Sequence, residues 1–455
     1  MFTGLDFKNF RLKRDFFMEL NYKDIDMKKA PQVHVTPLYV VANVLSRILA
    51  FTSRMNIHVD DEVKKLKGPY IVLANHASFT DFIGQIVAFK NRKLCRVVSI
   101  EEFYNIGEWV MRTLGCYPKR KFVPDITNVR HMLNIIKKGK ILCIYPEVRF
   151  SLAGINERLD KALGKLVKMT GVPLVLQKNY GNFIQSPQWC KHPKRKTKLV
   201  SEVKLLASKE DVERMSADEI QKLIEENFDY NDYEFQKNEK FKVTSKDRMT
   251  NSHKILYKCP HCGKEYSTIG EGTKITCTNC QTTYEMDEYG ELHNLNGETI
   301  FKSIPEWYLW EKEEVIKEVK EGKYHFEDDV ILKRLFKPSV GYIPIGKMRF
   351  VHDYTGMHLR GNYSDGTPFA FDRPVELSRS VHIEYNSKDK KDKKNVGPAI
   401  DFASPTETYF GWLQTQKLAL TKIHFATEAL YDEFMEKRAE SSSSNKAYVQ
   451  QFSSL

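Results

Sequence analysis

The sequence predicts a mostly parallel α/β domain, followed by a small cysteine-rich module and a β-rich domain that ends in a helix. Two short apolar runs, 70–74 and 141–144, are typical of buried strands, and each leads directly into a polar loop. A third run, 171–176, carries a proline near its start, and residues 82–87 show helical spacing after the first loop. Ligands bind beyond the carboxyl ends of parallel strands, so we expect the functional residues in these loops. With 455 residues, the chain is long enough for several such cores.

The first polar loop, 75–81, contains a histidine and an aspartate five positions apart, His76 and Asp81. This spacing suits a general base and the carboxylate that orients it. A neutral imidazole can take a proton from a hydroxyl at pH 7 when a partner stabilises the imidazolium that forms. Alternatively, these are polar turn residues, and Asp81 merely begins the next helix.

The second polar loop, 145–151, follows the strand 141–144 and contains Glu147 and Arg149. Between the two loops, a Gly/Pro turn precedes three consecutive cations, 119–121. Together with the strand at 171–176, the chain therefore presents four blocks in a fixed order.

These four blocks resemble the glycerolipid acyltransferases, specifically the 1-acylglycerol-3-phosphate (lysophosphatidate) acyltransferases. Residues 75–81 match in full the first motif of that family, Asn-His followed by four residues and Asp. The third motif is usually Phe-Pro-Glu-Gly-Thr-Arg-Ser. Here Val148 replaces the glycine, Phe150 occupies the position of the arginine, and Arg149 lies one place earlier. The Val-Pro-Leu sequence at 172–174 matches the fourth motif.

The second motif departs from the family at one position, because Ile100 aligns with a common lysine. The family's arginine at the end of this motif aligns with Lys121, so Arg120 or Lys121 takes that role. The resemblance covers about residues 60–235. It implies a glycerolipid-acyltransferase-like fold, a mostly parallel sheet flanked by helices.

The resemblance also implies the reaction. His76, oriented by Asp81, would deprotonate the 2-hydroxyl of 1-acylglycerol 3-phosphate, which attacks the thioester of acyl-CoA or acyl-carrier protein to form phosphatidate. Other lyso-lipids or glycerol 3-phosphate are alternative acceptors, because the arginine has moved by one position. The residues assigned to substrate binding are Glu147, Arg149, Arg120, Lys121, Ser78 and Gly115.

Four of the eight cysteines form two CxxC pairs, which are separated by 14 residues in the sequence: Cys259, Cys262, Cys277 and Cys280. This is the spacing of a zinc ribbon, in which four thiolates surround one tetrahedral ion. Disulfides are the competing interpretation, but a chain without an export signal suits a reducing compartment. A closed four-cysteine site has no open position, so we expect structural zinc and no catalytic metal.

Zinc ribbons also occur in nucleic-acid-binding proteins, and this gives the main alternative from another functional class. Lysines and two tyrosines flank the cysteines and could contact phosphates and bases. Acidic residues between 271 and 291 dilute this charge. We therefore favour a structural ribbon, which leaves nucleic acid an unlikely partner, although a nucleic-acid or protein-interaction module remains the alternative.

The chain carries 71 Lys+Arg against 59 Asp+Glu, a net charge of +12, which favours anionic membrane surfaces or nucleic acid alike. No uninterrupted apolar run is long enough to cross a bilayer, and the N-terminus lacks the pattern of a signal peptide. Residues 36–51 instead predict a helix, capped by Thr36, with one narrow polar stripe at Asn43, Ser46, Arg47 and Ala50. The sequence therefore predicts a bacterial enzyme in the cytoplasm, peripherally bound to the inner face of the cell membrane.

The C-terminal third shows short alternating strands and then a helix predicted from Tyr409 to about Arg438, an order that weakly resembles a pleckstrin-homology-like domain. The pattern predicts neither the ligand of this domain nor the oligomeric state. The predicted boundaries are an N-terminal arm and amphipathic helix at 1–58, an acyltransferase domain at 59–250, a zinc ribbon at 251–296, a connector helix at 297–324, a β-rich domain with its helix at 325–438, and a flexible tail at 439–455.

Overall fold

The structure is a computed structural model that describes residues 25–89, 92–190, 195–335, 342–388 and 395–452. The predicted basic arm at residues 1–24 therefore lies outside the described residues. The chain divides into two compact units. The first unit consists of residues 25–119 and 125–309, and the second consists of residues 120–124 and the described residues from 310 onward.

A seven-stranded sheet forms the centre of the first unit, with the strand order β1-β7-β6-β2-β5-β3-β4. Its strands are Asn56–Val59 (β1), Ile71–Ala74 (β2), Leu94–Ser99 (β3), Cys116–Lys119 (β4), Ile141–Ile144 (β5), Leu174–Tyr180 (β6) and Val200–Ala207 (β7). Neighbouring strands are parallel except for β6 and β7, which are antiparallel. The predicted mostly parallel sheet is confirmed.

Helices flank this sheet because both of its faces are apolar. Successive residues of β2 point to opposite faces, so Leu73 packs in one apolar cluster and Val72 in the other. The helices of the first unit are Pro37–Thr52 (α1), Asp61–Lys65 (α2), Asp81–Ala88 (α3), Ile100–Ile106 (α4), Glu108–Thr113 (α5), Ile126–Lys137 (α6), Leu163–Thr170 (α7), Asn182–Gln185 (α8), Lys209–Arg214 (α9), Ala217–Asn227 (α10) and Asp232–Asn238 (α11).

The cysteine-rich module has its own four-stranded antiparallel sheet, in the order β11-β10-β9-β8. Its strands are Thr268–Glu271 (β8), Lys274–Cys277 (β9), Thr283–Met286 (β10) and Leu292–Asn294 (β11). The helix that follows, Ile304–Lys320 (α12), anchors its first turn on this module, because Trp307 donates from Nε1 to the carbonyl of Lys258 at 2.9 Å. The predicted connector is therefore helical.

The second unit contains a seven-stranded antiparallel sheet in the order β15-β14-β13-β12-β18-β17-β16, followed by the helix Leu420–Phe452 (α13). Its strands are Phe326–Leu335 (β12), Tyr342–Asp353 (β13), Gly356–Asn362 (β14), Pro368–Pro374 (β15), Ile383–Lys388 (β16), Asn395–Ala403 (β17) and Thr408–Leu413 (β18). The β-rich region with its terminal helix is confirmed, and the likeness to a pleckstrin-homology-like domain stays a prediction.

Two details of the C-terminal prediction need correction. The helix predicted from Tyr409 begins only at Leu420, because residues 408–413 pair with both β12 and β17 as strand β18. Their alternating apolar side chains suit a pleated strand as well as a helix. The tail predicted to be flexible from 439 is helical as far as Phe452.

Candidate active site

His76 lies in the loop between β2 and α3, at the carboxyl end of a central strand. The preceding residue, Asn75, fixes this loop to the neighbouring strand β6. Its side-chain oxygen accepts from the backbone N–H of Asn179 at 2.7 Å, and its side-chain nitrogen donates to the carbonyl of Asn179 at 2.9 Å. The paired hydrogen bonds hold the loop in place, which explains the asparagine in the motif.

Asp81 is fully buried at the start of α3, and both of its carboxylate oxygens accept hydrogen bonds. Nδ1 of His76 lies 3.1 Å from Oδ2, which also accepts from the backbone N–H groups of Ala77 and Ser78 at 2.7 and 2.9 Å. Oδ1 accepts from the side chain of Asn182 at 2.6 Å. Since Asp81 acts only as an acceptor, Nδ1 of His76 must donate. The other ring nitrogen, Nε2, is then left with a lone pair that can accept a proton.

Two aromatic rings bracket the imidazole of His76. The ring of Tyr145 stacks on it with centroids 4.2 Å apart, and the ring of Phe150 lies at 4.1 Å in a tilted orientation. The side chain of His76 keeps 23% of its surface exposed, whereas that of Asp81 has none. The imidazole therefore has a restricted orientation and remains partly accessible.

Glu147 supports His76 through the backbone. Its two carboxylate oxygens accept from the backbone N–H groups of His76 and Glu157, at 2.6 and 2.7 Å. Burial raises the pKa of Glu147 well above its usual range, although these two N–H donors oppose the shift. Both oxygens of Glu147 thus position the two loops, and its contact with the acceptor stays a prediction.

Arg149 is buried and paired with a carboxylate, and its predicted phosphate contact stays a prediction. It is 3% exposed, and its Nε lies 3.3 Å from Oε2 of Glu157. The adjacent Val148 adopts a left-handed backbone conformation, with φ of +65°. Glycine enters this region without steric cost, which explains why the related motif carries glycine at this position.

Arg120 and Lys121 form contacts within the second unit. The guanidinium of Arg120 donates to the carbonyls of Pro405 and Thr406 at 3.3 and 2.5 Å. Nζ of Lys121 lies 3.6 Å from Oδ2 of Asp401. Both predicted phosphate-binding cations therefore already have oxygen partners.

Ser78 and Gly115 have structural explanations as well. The hydroxyl of Ser78 is buried and hydrogen-bonds to the hydroxyl of Thr80 at 2.7 Å, within the loop. Gly115 has φ of +88°, and a Cβ added there would lie 2.9 Å from the carbonyl oxygen of Leu94. Ser78 shapes the turn before Asp81, and Gly115 permits close approach to β3, while their substrate contacts stay predictions.

Several residues that hold the site were missed from the sequence, including Asn182. It lies on α8, which follows Gly181 at the carboxyl end of β6. Asp232 fixes this turn, since its two carboxylate oxygens accept from the backbone N–H groups of Gly181 and Phe183 at 3.0 Å each. Burial raises the pKa of Asp232 to about 7. Only the position of Asn182 after β6 could have indicated it from the sequence, because α8 begins at the same sheet edge as the loop of His76.

The four organised cysteines come together in the first unit. One sulfur from each of the four lies within 4.8 Å of the others. The sulfurs of Cys259 and Cys280 are 3.6 Å apart, and those of Cys262 and Cys277 are 3.7 Å apart. Four thiols at this spacing could hold a metal ion such as zinc.

Comparisons with known proteins found a family model and a solved structure that resemble parts of this chain. Residues 54–175 match the family model described as Acyltransferase, a span that includes His76, Asp81 and Glu147. A second similarity is to a crystal structure of the 1-acyl-sn-glycerophosphate (LPA) acyltransferase PlsC from Thermotoga maritima. The match covers 41% of this chain and 75% of the PlsC chain, with 20% sequence identity and a TM-score of 0.35. No curated protein sequence matches the chain.

Proposed function

We propose that this chain, an acyltransferase enzyme, moves an acyl group from a thioester to a hydroxyl of a glycerolipid, with His76 as the general base. The observation that carries this proposal is the contact between Nδ1 of His76 and Oδ2 of Asp81 at 3.1 Å. It leaves Nε2 as the atom that takes the proton. Asp81 stabilises the imidazolium that forms, as carboxylates do beside catalytic histidines elsewhere.

The proposed reaction is a direct transfer. Nε2 of His76 takes the proton of the acceptor hydroxyl, and the hydroxyl oxygen attacks the carbonyl carbon of the thioester. The carbon–sulfur bond then breaks, and the imidazolium returns the proton to the thiolate that leaves. The products are an ester and a free thiol, so no other reactant is needed.

Two buried cysteines of the parallel sheet, Cys116 and Cys143, do not suit an acyl-enzyme. Burial raises the pKa of Cys143 to about 12 and that of Cys116 to about 11, so both remain thiols at neutral pH. A thiolate is the reactive form of cysteine. These two residues therefore support a transfer without a covalent intermediate.

The resemblance of the motifs suggests the 2-hydroxyl of 1-acylglycerol 3-phosphate as acceptor, acyl-CoA or acyl-carrier protein as donor, and phosphatidate as product in phospholipid synthesis. Another lyso-lipid or glycerol 3-phosphate is the alternative. The pairing of Arg149 with Glu157 favours another lyso-lipid, because it occupies a cation that a phosphomonoester would need, whether on 1-acylglycerol 3-phosphate or on glycerol 3-phosphate.

We also propose that α1 rests on an anionic membrane surface at the inner face of the cell membrane. Thr36 caps this helix, as predicted. Three residues of the polar stripe, Asn43, Ser46 and Ala50, are buried against the protein, whereas its fourth, Arg47, is exposed. Seven apolar side chains point outward at 47–85% exposure: Val40, Val41, Val44, Leu45, Ile48, Leu49 and Phe51. A contiguous apolar face of this kind typically marks a membrane or protein contact. Within the residues that the structure describes, no helix combines the length and apolar character needed to cross a bilayer.

For the cysteine cluster, we propose one structural zinc ion held by Cys259, Cys262, Cys277 and Cys280. Their spacing fits a tetrahedral ion, and a closed set of four thiolates contributes folding energy. We expect about one zinc per chain by atomic spectroscopy, and a fully folded metal-free protein would contradict this. Salt-dependent binding of DNA or RNA would instead favour a nucleic-acid-binding ribbon.

The acyl-transfer proposal is tested with purified protein, both donor types and a panel of lyso-lipid acceptors. His76→Ala should lose at least a hundredfold in kcat, since general-base catalysis typically contributes that much. His58→Ala is the matched control, because His58 is exposed on β1, and its activity should equal that of the unaltered protein. If no acceptor is acylated, or if His76→Ala stays active, the proposed function is wrong.

A further inference from the structure

We propose that the acceptor is a lyso-glycerolipid whose head group carries no phosphomonoester, so that a phosphodiester or uncharged head group is preferred to the phosphate of 1-acylglycerol 3-phosphate. This inference rests on the proposed acyl transfer and names its acceptor class. A phosphomonoester carries between about one and a half and two negative charges at pH 7 and is typically held by cationic forks. The positions that would supply such forks are engaged otherwise.

The first of these positions holds an aromatic ring. Phe150 stands where the related motif has its arginine, and its ring centroid lies 4.1 Å from that of His76. On the other side of the imidazole, Tyr145 stacks at 4.2 Å, and its hydroxyl is buried. Two aromatic rings therefore contact the imidazole, and one of them stands at the position of the arginine in the related motif.

The neighbouring cation, Arg149, cannot turn toward a bound phosphate without leaving the buried carboxylate of Glu157 unpaired. The side chains of Arg149 and Glu157 are 2% and 6% exposed, and the pair is joined at 3.3 Å. Glu157 is fixed in turn, because its Oε1 accepts from the backbone N–H of Leu152 at 3.0 Å. Breaking a buried ion pair by removing one partner is strongly destabilising, because the other charge stays buried and uncompensated. A phosphate that recruited Arg149 would have to offset this loss.

The remaining two cations are held in the second unit. Arg120 is 5% exposed, and its guanidinium donates to the carbonyls of Pro405 and Thr406. Lys121 faces the buried carboxylate of Asp401. The same segment is held by its backbone, because Arg373 donates to the carbonyl of Phe122 at 2.6 Å. These contacts hold residues 120–122 in place. They also pair the charges of Arg120 and Lys121 with oxygen atoms.

Arg96 is a further guanidinium that acts electrostatically on Tyr145. It is 7% exposed, and its Nε donates to the side-chain oxygen of Gln85 at 2.6 Å. The substitution Arg96→Gln removes the charge and keeps a polar side chain, so it tests whether Arg96 contributes to binding a phosphomonoester.

The test compares three acceptors with the same acyl chain and the same donor: 1-acylglycerol 3-phosphate, the phosphodiester 1-acylglycerol-3-phosphoglycerol, and 1-acylglycerol. We expect kcat/KM for the phosphodiester or the uncharged lipid to exceed that for the phosphomonoester at least tenfold. Phe150→Arg should raise kcat/KM for the phosphomonoester about tenfold relative to the other two acceptors. Phe150→Leu is the matched control, since it removes the ring without adding charge and should leave the ranking unchanged.

A tenfold preference of the unaltered enzyme for the phosphomonoester would overturn the inference, as would a selective loss of that activity in Arg96→Gln. Both results leave the acyl-transfer proposal intact, provided that acylation still depends on His76. If no acceptor is acylated, the acyl-transfer proposal fails, and this inference fails with it. The ranking of the unaltered enzyme decides the question even if Phe150→Arg does not fold.

Discussion

Asn182 donates a hydrogen bond from its side chain to Oδ1 of Asp81 at 2.6 Å, although the two residues lie 101 positions apart in the chain. The other carboxylate oxygen of Asp81 faces His76 and two backbone N–H groups. The bond from Asn182 therefore fixes the rotation of the carboxylate, and with it the ring of His76. Asn182 is a positioning residue that acts through Asp81.

We predict that Asn182→Ala lowers kcat about tenfold or more and leaves KM nearly unchanged. A hydrogen bond to a charged group is typically worth about 1.5–3 kcal/mol, and this one should matter most when the imidazolium forms. Steady-state kinetics with saturating donor measure the split between kcat and KM. Asn134→Ala, at an exposed asparagine of α6, is the control. Partial recovery in Asn182→Ser would support positioning, whereas equal changes in kcat and KM would argue against it.

Asp232 should make the stability of the protein depend on pH. Its pKa is raised by burial from 3.8 to about 7, so the protonated form favours the folded state. The contribution to stability is fully present below pH 3.8 and is lost as the pH rises toward 7. Relative to Asp232→Asn, the free energy of unfolding should fall by about 2 kcal/mol between pH 5.5 and pH 8.

Urea unfolding of both proteins at the two pH values measures this difference, and titrations common to both cancel. If the unaltered protein does not lose free energy of unfolding relative to Asp232→Asn as the pH rises, Asp232 is ionised at both pH values. Because Asp232 holds the turn that carries Asn182, we expect activity to fall in Asp232→Asn as well.

The sequence predicted those parts of the site that are local in the chain. His76 and Asp81 lie in one loop, so their spacing alone indicated the contact at 3.1 Å. The contact of Asn182 with Asp81 joins segments 101 positions apart, which periodicity does not encode. The pair of Arg149 with Glu157, eight positions later, lies in an irregular loop, so no regular spacing indicates it either.

The fold was predictable for a related reason. Short buried strands and the loops after them are local patterns, and a parallel sheet follows from their order. Helical spacing on α1 gave the polar stripe but not the side of the helix that faces the protein. The structure places Asn43, Ser46 and Ala50 of that stripe inward and leaves Arg47 exposed, so most of the apolar surface faces outward, unlike that of an ordinary surface helix.

Val148→Gly should stabilise the protein by up to about 1 kcal/mol. Valine at φ of +65° is strained, because a left-handed conformation costs an L-residue about 1–2 kcal/mol. The greater freedom of glycine in the unfolded chain removes about 0.5–1 kcal/mol of that gain. Urea unfolding measures the change. Val129→Gly is the control, because this half-exposed valine lies within the regular helix α6, where glycine should destabilise.

The outward face of α1 gives the last prediction, which concerns binding to a membrane. Val41, Leu45 and Ile48 are 53%, 54% and 53% exposed, and their spacing places them on one face of the helix. We predict that replacing all three by serine lowers binding to anionic vesicles at least tenfold. Burial of one such side chain is worth about 1.5–3 kcal/mol, so even partial insertion of three exceeds the 1.4 kcal/mol of a tenfold change.

Vesicle flotation measures this binding, and far-ultraviolet circular dichroism shows whether the fold is kept. The control carries serine at Met169, Ile269 and Leu377, which are exposed to a similar extent outside α1. Its binding should equal that of the unaltered protein, because scattered exposed apolar residues do not form a lipid-facing surface. Equal binding by all three proteins would show that α1 does not insert. Loss in both variants would indicate a general effect of surface hydrophobicity. Only a loss confined to the α1 variant fits a helix that turns its polar stripe toward the protein and its apolar face toward lipid.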